Sequence, residues 1–432
     1  MINKFYHFMF EVNLLTWVLL YKLTLDLLYI ILQVTSFAYV GYTLNIDYFK
    51  IVFGWLIYIS IFRVIKTNVD NVITLFAYTF FALSIAPSVT LYQFYDKCQL
   101  WMLMIQVFAL LLIYLFSRIR FFKNTSIKQV SSYSFSVSIF VMLYLLIFFI
   151  YSLCKHGLPS FELLSLYSIY QVRAIAKISL LESCIMNITC KIIIPIVIVF
   201  SCKEHKYLKM LIGIFIQLYI YSVTGFKTFL FIPFVLLGAF GLRGQEIKKV
   251  IFMGLSVSLC FASLFTFITG DYMLYALIGN RAVFLPAIIK CAYFDYFSKN
   301  EFVYFTQNTI AKILGIQSNY SVSVPNLIGE KYFGDFNMWT NTGFIADAYS
   351  NMGIIGVLVI SILMALILRM AYISMDKAEG DAKSILLSIY LLYFVVLNDG
   401  ALISTFISGG LIVWVAISVF INFNKPSFRK NS

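Results

Sequence analysis

Charge is what this sequence has least of. Only 12% of its 432 residues are Asp, Glu, Lys or Arg, about half the roughly 25% of an ordinary soluble domain. A water-facing surface cannot be built from so little, and with 62% hydrophobic residues the solvent this chain suits is lipid. Histidine is nearly missing too: His7, His156 and His205 stand far from one another and from any carboxylate cluster, so no metal ligand set is expected, and no cofactor. The seven cysteines are scattered, odd in number and without a CxxC; their spacing predicts neither a zinc site nor a disulfide. No internal repeat is detectable, which argues against a transporter of two similar halves. The first apolar stretch carries Glu11, Lys22 and Asp26 with no small-residue cleavage pattern after it, so a removable leader is not expected.

Present instead are apolar stretches near 20 residues, the helical length needed to cross a bilayer core about 30 Å thick. Closed barrels need shorter, strictly alternating segments, and runs such as 192–201 do not alternate. The reading is an all-α polytopic membrane protein forming a single integral membrane domain over 1–432. About twelve spans are predicted, near 11–32, 49–62, 72–92, 99–117, 133–154, 184–202, 209–224, 228–242, 250–270, 344–368, 384–398 and 403–422. The net charge of +13 then reports topology, not nucleic acid. With both termini cytoplasmic, most of the basic residues of the short loops lie inside.

Two long outer connections follow, 155–183 and 271–343, and long connections are where function concentrates. The second is rich in aromatic residues and is expected to fold against the membrane surface. Its stretch 282–297 reads as an interfacial helix with Pro286 in the first turn.

Arg173, Lys227 and Arg281 are cations on the outer side, where orientation rules disfavour them. A guanidinium fork bonds two phosphate oxygens at once, so these residues suit a phosphate-bearing substrate; the alternative is a side chain snorkelling to the headgroups. Lys227 falls in the turn Thr224-Gly225-Phe226-Lys227-Thr228, and Arg281 just precedes the interfacial helix. For a general base the carboxylates are Glu162, Glu182, Asp271, Asp295, Glu301, Glu330, Asp335 and Asp347, and spacing does not choose among them. Asp347 stands out as a charge in the outer turn of a span, one turn before Asn351, with Ala346, Ser350 and Gly353 expected on one close-packing face below it.

The run Asn341-Thr342-Gly343-Phe344-Ile345-Ala346-Asp347-Ala348-Tyr349-Ser350-Asn351-Met352-Gly353-Ile354-Ile355-Gly356 resembles the pattern after the large outer loop of bacterial oligosaccharide repeat-unit polymerases, the Wzy-type O-antigen and capsule polymerases. Arg281-Ala282-Val283-Phe284-Leu285-Pro286, Tyr293-Phe294-Asp295-Tyr296-Phe297 and Ile328-Gly329-Glu330-Lys331-Tyr332-Phe333-Gly334 extend the likeness over about 271–369. The resemblance implies glycosyl transfer at the outer face of the bacterial cytoplasmic membrane. A sugar hydroxyl of one undecaprenyl-diphosphate-linked oligosaccharide attacks the anomeric carbon of another, and undecaprenyl diphosphate departs. Taken with the outer cations, this activity points to Arg173, Arg281 and Asp347 as catalytic residues, with Glu162 the other candidate base, and to Lys227, Lys290, Tyr293, Tyr349 and Asn341 as substrate-binding. Lys227 departs from the arginine more often found in that turn and lacks its fork. The implied partners are lipid-linked oligosaccharides, membrane lipids and a chain-length regulator protein. A lipid-linked oligosaccharide flippase is the leading non-enzyme alternative. The O-antigen ligase is the closer alternative in architecture, but that family looks to a histidine in its large outer loop, and none stands between Asp271 and Thr340.

Overall fold

The computed structural model describes residues 12–66, 71–119, 139–158, 178–241, 247–375 and 380–420. Among the described residues the regular structure is all helical. Ten helices are long and apolar enough to cross a membrane: α1 (Leu14–Ser36), α2 (Tyr48–Ile65), α3 (Val72–Phe94), α4 (Leu100–Arg118), α5 (Ile139–His156), α6 (Leu181–Lys203), α7 (Tyr207–Thr224), then, after the shorter α8 (Lys227–Gly241), α9 (Lys248–Thr269) and α10 (Met273–Phe297), and, after the short α11 (Val324–Phe333), α12 (Phe344–Met375). The described chain closes with α13 (Gly380–Val396), α14 (Leu402–Phe406) and α15 (Leu411–Phe420). The chain is a multi-pass membrane protein. The predicted span 403–422 is two short helices, because Gly409 and Gly410 interrupt it, Gly410 in the left-handed region.

The chain forms two compact units. One comprises Met1–Ile119, Gln245–Arg369 and Leu397–Ile403; the other comprises Arg120–Gly244, Met370–Val396 and Ser404–Ser432. In the second unit, Ser179 caps α6 in a reciprocal pair with Glu182. Lys155 and His156 close on the same Glu182 carboxylate at 2.5 and 2.9 Å. Gly225, left-handed, ends α7, and the helix α8 restarts at Lys227 itself.

In the first unit, side-chain oxygens of Asn13, Asp47 and Asn71 cap α1, α2 and α3, satisfying amides that would otherwise lack partners in lipid. The helix α3 is buried along its length. Aromatic rings lock its neighbours to it, among them Tyr58 stacked on Phe81 at 4.7 Å. Deep in this unit Lys22 has no exposed surface. Its ammonium donates to Asp26, to Thr90 Oγ1 at 3.1 Å and to Gln93 Oε1 at 2.5 Å, using all three of its N–H bonds. Gln93 in turn donates to the Ile51 carbonyl at 2.8 Å, so one ion pair fastens α1, α2 and α3. Gly54 makes room for it, since a Cβ there would lie 2.6 Å from Gln93.

Two elements differ from the sequence expectation in ways that shape the site. The helix expected at 282–297 begins nearer Met273 and includes a π-helical stretch, Ala276–Phe284. The polar Gly279-Asn280-Arg281 interrupts the apolar pattern and so reads as loop. In the fold Asn280 accepts from the Tyr42 hydroxyl at 3.0 Å, and Tyr275 accepts from Gln33 at 3.1 Å. The other end of α10 meets the 95–99 connection through Cys291 and Cys98. Connections 37–47 and 95–99 are themselves joined, Asn45 donating to Phe94 O and Asp96. Both ends of α10 therefore abut the same end of the α1–α4 bundle.

The second difference is in α12, which breaks at Met352 and Gly353; Gly353 has φ 59° and ψ −140°. Gly353 was expected to extend a small-residue face with Ala346 and Ser350, but the backbone leaves the helix there. Phe302 sits 2.8 Å from where a Cβ would be. The carbonyls freed by the break are recaptured: Val303 N donates to Ser350 O at 2.9 Å, Tyr304 N to Asn351 O at 3.0 Å and Phe305 N to Asn351 Oδ1 at 2.8 Å. Interrupted helices persist in membranes only with such replacement partners. Residues 354–375, at about 1.5 Å rise each, are enough to cross unaided, which frees 344–351 for another role.

Candidate functional site

The first turns of α12, the middle of α10, α3 and the 397–401 segment converge in the first unit. Lys290 of α10 is 2% exposed and donates to Ser84 Oγ at 2.8 Å and Asn398 Oδ1 at 2.7 Å. Ser84 passes the chain of hydrogen bonds to Gln106 at 3.0 Å, which also accepts from Ser88 at 3.2 Å. Asn398 donates to the Asp399 carboxylate at 3.1 Å, which also lies within electrostatic reach of Lys290. The arrangement requires Gly343: a Cβ there would stand 2.4 Å from the Asn398 carbonyl and 2.9 Å from Lys290 Cε. Phe344 N completes the junction on Leu397 O at 3.3 Å.

Beside this junction, Tyr293 donates to Thr340 O at 3.0 Å, and Thr340 reaches Pro325 O at 2.6 Å, fixing the approach to α12. Asp347 follows in the first turn, half-buried and within electrostatic reach of Tyr293. Every other carboxylate at a described core position is engaged; Asp26, Glu182 and Asp295 all hold cations. The Asp347 carboxylate has no hydrogen bond or ion pair among the described residues, and the buried Thr342 hydroxyl likewise lacks a partner among them. Burial of a carboxylate without a hydrogen-bond partner carries a desolvation cost that the helix N-terminus offsets only in part, and such groups are candidates for function.

A second polar group lies further along α10. Asp295 accepts from the Tyr332 hydroxyl at 2.6 Å and from Lys299 at 2.7 Å, beside a small pocket lined by Tyr95, Lys97, Cys291 and Tyr332. Burial first, and then the Asp295 carboxylate, push the Tyr332 phenol well above its ordinary pKa, so it remains a hydrogen-bond donor at neutral pH.

The sequence candidates divide accordingly. Lys290, Tyr293 and Asp347 come together. Lys290 and Tyr293, expected to bind substrate, are buried and hold the junction; burial of Tyr293 was not visible from spacing, because interfacial tyrosines look the same. Tyr349 packs against Phe294, Trp101 and Phe302, with ring centres 5.1–6.2 Å apart. Asn341 is exposed and accepts from the Trp339 indole at 2.6 Å. Arg281, half-exposed, is separated from Tyr293 by roughly 18 Å of helix rise. Arg173 and Glu162 lie outside the described residues, as does the Lys227 side chain. Asn398, Asp399, Ser84 and Gln106 escaped sequence reading; the one available signal was the polar Asn398-Asp399-Gly400 amid the apolar C-terminal third. Among the described residues no group of His, Cys, Asp and Glu is placed to hold a metal.

Fold and site together define a class: a multi-pass α-helical membrane protein with ionisable groups sequestered among its helices and a carboxylate, Asp347, that has no hydrogen bond or ion pair among the described residues at a broken helix. No family model, curated protein or solved structure matches the chain.

Proposed function

We propose that this protein is a membrane glycosyltransferase that joins undecaprenyl-diphosphate-linked oligosaccharide repeat units at the outer face of the bacterial cytoplasmic membrane. The observation that carries the reading is the Asp347 carboxylate, half-buried and without a partner among the described residues, at the start of a broken helix whose sequence resembles the polymerase pattern. In the proposed step an acceptor sugar hydroxyl attacks the donor's anomeric carbon, its proton passes to Asp347, and the bond from that carbon to the diphosphate oxygen breaks. The diphosphate leaves with the electron pair. Lys290 and Asn398 position this junction without touching substrate.

Because Arg281 lies roughly 18 Å of helix rise from Tyr293, its part in the proposal is to hold a lipid diphosphate away from the reacting carbon. The acceptor's own diphosphate meets that description, since a repeat unit of several sugars separates it from the attacking hydroxyl. Arg281→Ala is then expected to lower polymer formation roughly 100-fold, the scale for losing one preorganised charged donor, with protein abundance unchanged. Polymer of normal amount and length would remove Arg281 from the site. Arg173 and Lys227 keep their phosphate roles as part of the proposal on the strength of the resemblance.

The proposal takes both termini as cytoplasmic, about twelve crossings and residues 298–343 as outer. It is supported by α10, whose two ends abut one end of the bundle, as a helix lying within the outer half does and a crossing helix does not. Asn300→Cys should then be labelled by an impermeant maleimide in vesicles of periplasm-out orientation; labelling solely from the opposite face would overturn this topology. The function itself is tested by deleting the gene and analysing surface polysaccharide. Single repeat units on the surface lipid are the expected result, whereas complete loss of surface sugar would favour the flippase or the ligase.

A further inference from the structure

Cysteine spacing alone gives no reason to pair any two of the seven, yet the fold brings Cys98 and Cys291 together across 193 positions of sequence. Their sulfurs stand 2.6 Å apart, well inside the roughly 3.5–4 Å at which unbonded heavy atoms settle. Both residues are buried, each 2% exposed. Cys98 lies in the 95–99 connection between α3 and α4, next to the exposed Asp96 and Lys97. Cys291 projects from α10 and lines the small pocket that Lys97, Asp295 and Tyr332 share. Because the 37–47 and 95–99 connections are joined by Asn45 and Asp96, the pair sits at the end of the bundle to which α10 is attached, not midway along its helices.

We propose that Cys98 and Cys291 form an intrachain disulfide that fastens α10 to the α3–α4 connection on the outer side of the membrane. Two S–H bonds break and one S–S bond forms. The two electrons and two protons pass to an oxidised dithiol carrier, a protein or small-molecule disulfide, which is reduced to its dithiol. Disulfides form and persist on the oxidising outer side and are rare in the reducing cytosol, so the bond is also a marker of sidedness. The neighbouring Cys291 sulfur and burial both push the Cys98 thiol well above its ordinary pKa. Thiolate is the reacting species, so exchange with the carrier occurs while the segment is folding, and the finished bond is shielded from reductant. Its mechanical role is plain from its position: Lys290, adjacent to Cys291, carries the hydrogen bonds to Ser84 and Asn398, and a covalent tie one residue away fixes the register of that turn.

The test uses the full-length protein in native membranes, denatured in the presence of a thiol-alkylating maleimide of high mass. Without reductant, five of the seven cysteines should take label, and all seven after reduction. Digestion without reductant should yield a joined peptide pair containing Cys98 and Cys291, lighter by two hydrogens than the sum of the two peptides. Cys98→Ser and Cys291→Ser, each alone, should leave six cysteines that all label without reductant, which separates this pairing from any other. Label on all seven cysteines of the unreduced wild-type protein would overturn the proposal, as would a joined peptide pair containing any other cysteine. These outcomes do not depend on polymer formation: a disulfide in a protein whose deletion leaves polymer intact would sink the proposed activity and not the bond.

Discussion

Asp347→Asn is expected to lower polymer formation by roughly 10²–10⁴-fold, the usual contribution of a positioned general base, with protein abundance and membrane insertion unchanged. The amide matches the carboxylate in size, so packing at the start of α12 is preserved. The Asp347 backbone N–H still donates to Gly343 O at 3.1 Å, and its carbonyl still accepts from Asn351 Nδ2 at 2.7 Å. No ion pair is broken among the described residues, because the carboxylate makes none there. What disappears is the ability to accept a proton. A carboxylate kept for structure alone would hold a cation, as Asp26 does, or cap a helix, as Asp47 does, and its removal would show first as lost protein. The measurement is polysaccharide length by gel in a deletion strain complemented with the variant, beside an immunoblot for abundance. Wild-type polymer at wild-type abundance would end the role of Asp347 as base and leave Asp399, the carboxylate bonded by Asn398, as the next candidate. The reciprocal substitution Asp399→Asn distinguishes the two.

Asp26→Ala should act on the fold and not on the chemistry. It leaves the Lys22 ammonium buried without its counter-charge, and breaking a buried pair by removing one member costs about 3–5 kcal/mol. Thr90 Oγ1 and Gln93 Oε1 remain as acceptors but carry no charge to balance it. The expected outcome is a large fall in folded protein, read by fluorescence-detected size exclusion after mild detergent extraction. Lys22→Met combined with Asp26→Leu should recover much of the loss, since an apolar pair of similar volume removes the desolvation cost with the charges. The same combined variant also distinguishes a lock from a working site. If Lys22 and Asp26 only fasten α1 to α3, polymer formation follows abundance; polymer loss at full abundance would make this ion pair part of the mechanism.

Much of the helical scaffold was legible from hydropathy, because the requirement that lipid-exposed backbone be satisfied internally acts on every span independently of its neighbours. The spans expected near 72–92 and 99–117 became α3 and α4 with small shifts at their ends. Asp347 was also legible, since a charge within an apolar span stands out in one dimension. Legibility failed where the local pattern is ambiguous. Gly279-Asn280-Arg281 looks like loop and is a π-helical turn, because Tyr42 and Tyr275 supply contacts that only the folded bundle provides. The small residues after Asp347 look like one packing face and instead contain a helix break, because the 303–305 backbone is available to take up the freed carbonyls.

What the sequence determined by itself is therefore membrane residence, the helical class, most of the segments that cross, and the isolated carboxylate. Each follows from composition and period along a single stretch of chain. Tertiary structure alone decided that Lys290 is buried and bonded to Asn398. It decided that Arg281 and Tyr293 stand turns apart on α10, that Lys22 pairs with Asp26, and that Cys98 meets Cys291. Those are statements about pairs far apart in sequence. Whether a polar group is costly, satisfied or free to act depends on which distant partner the fold carries to it.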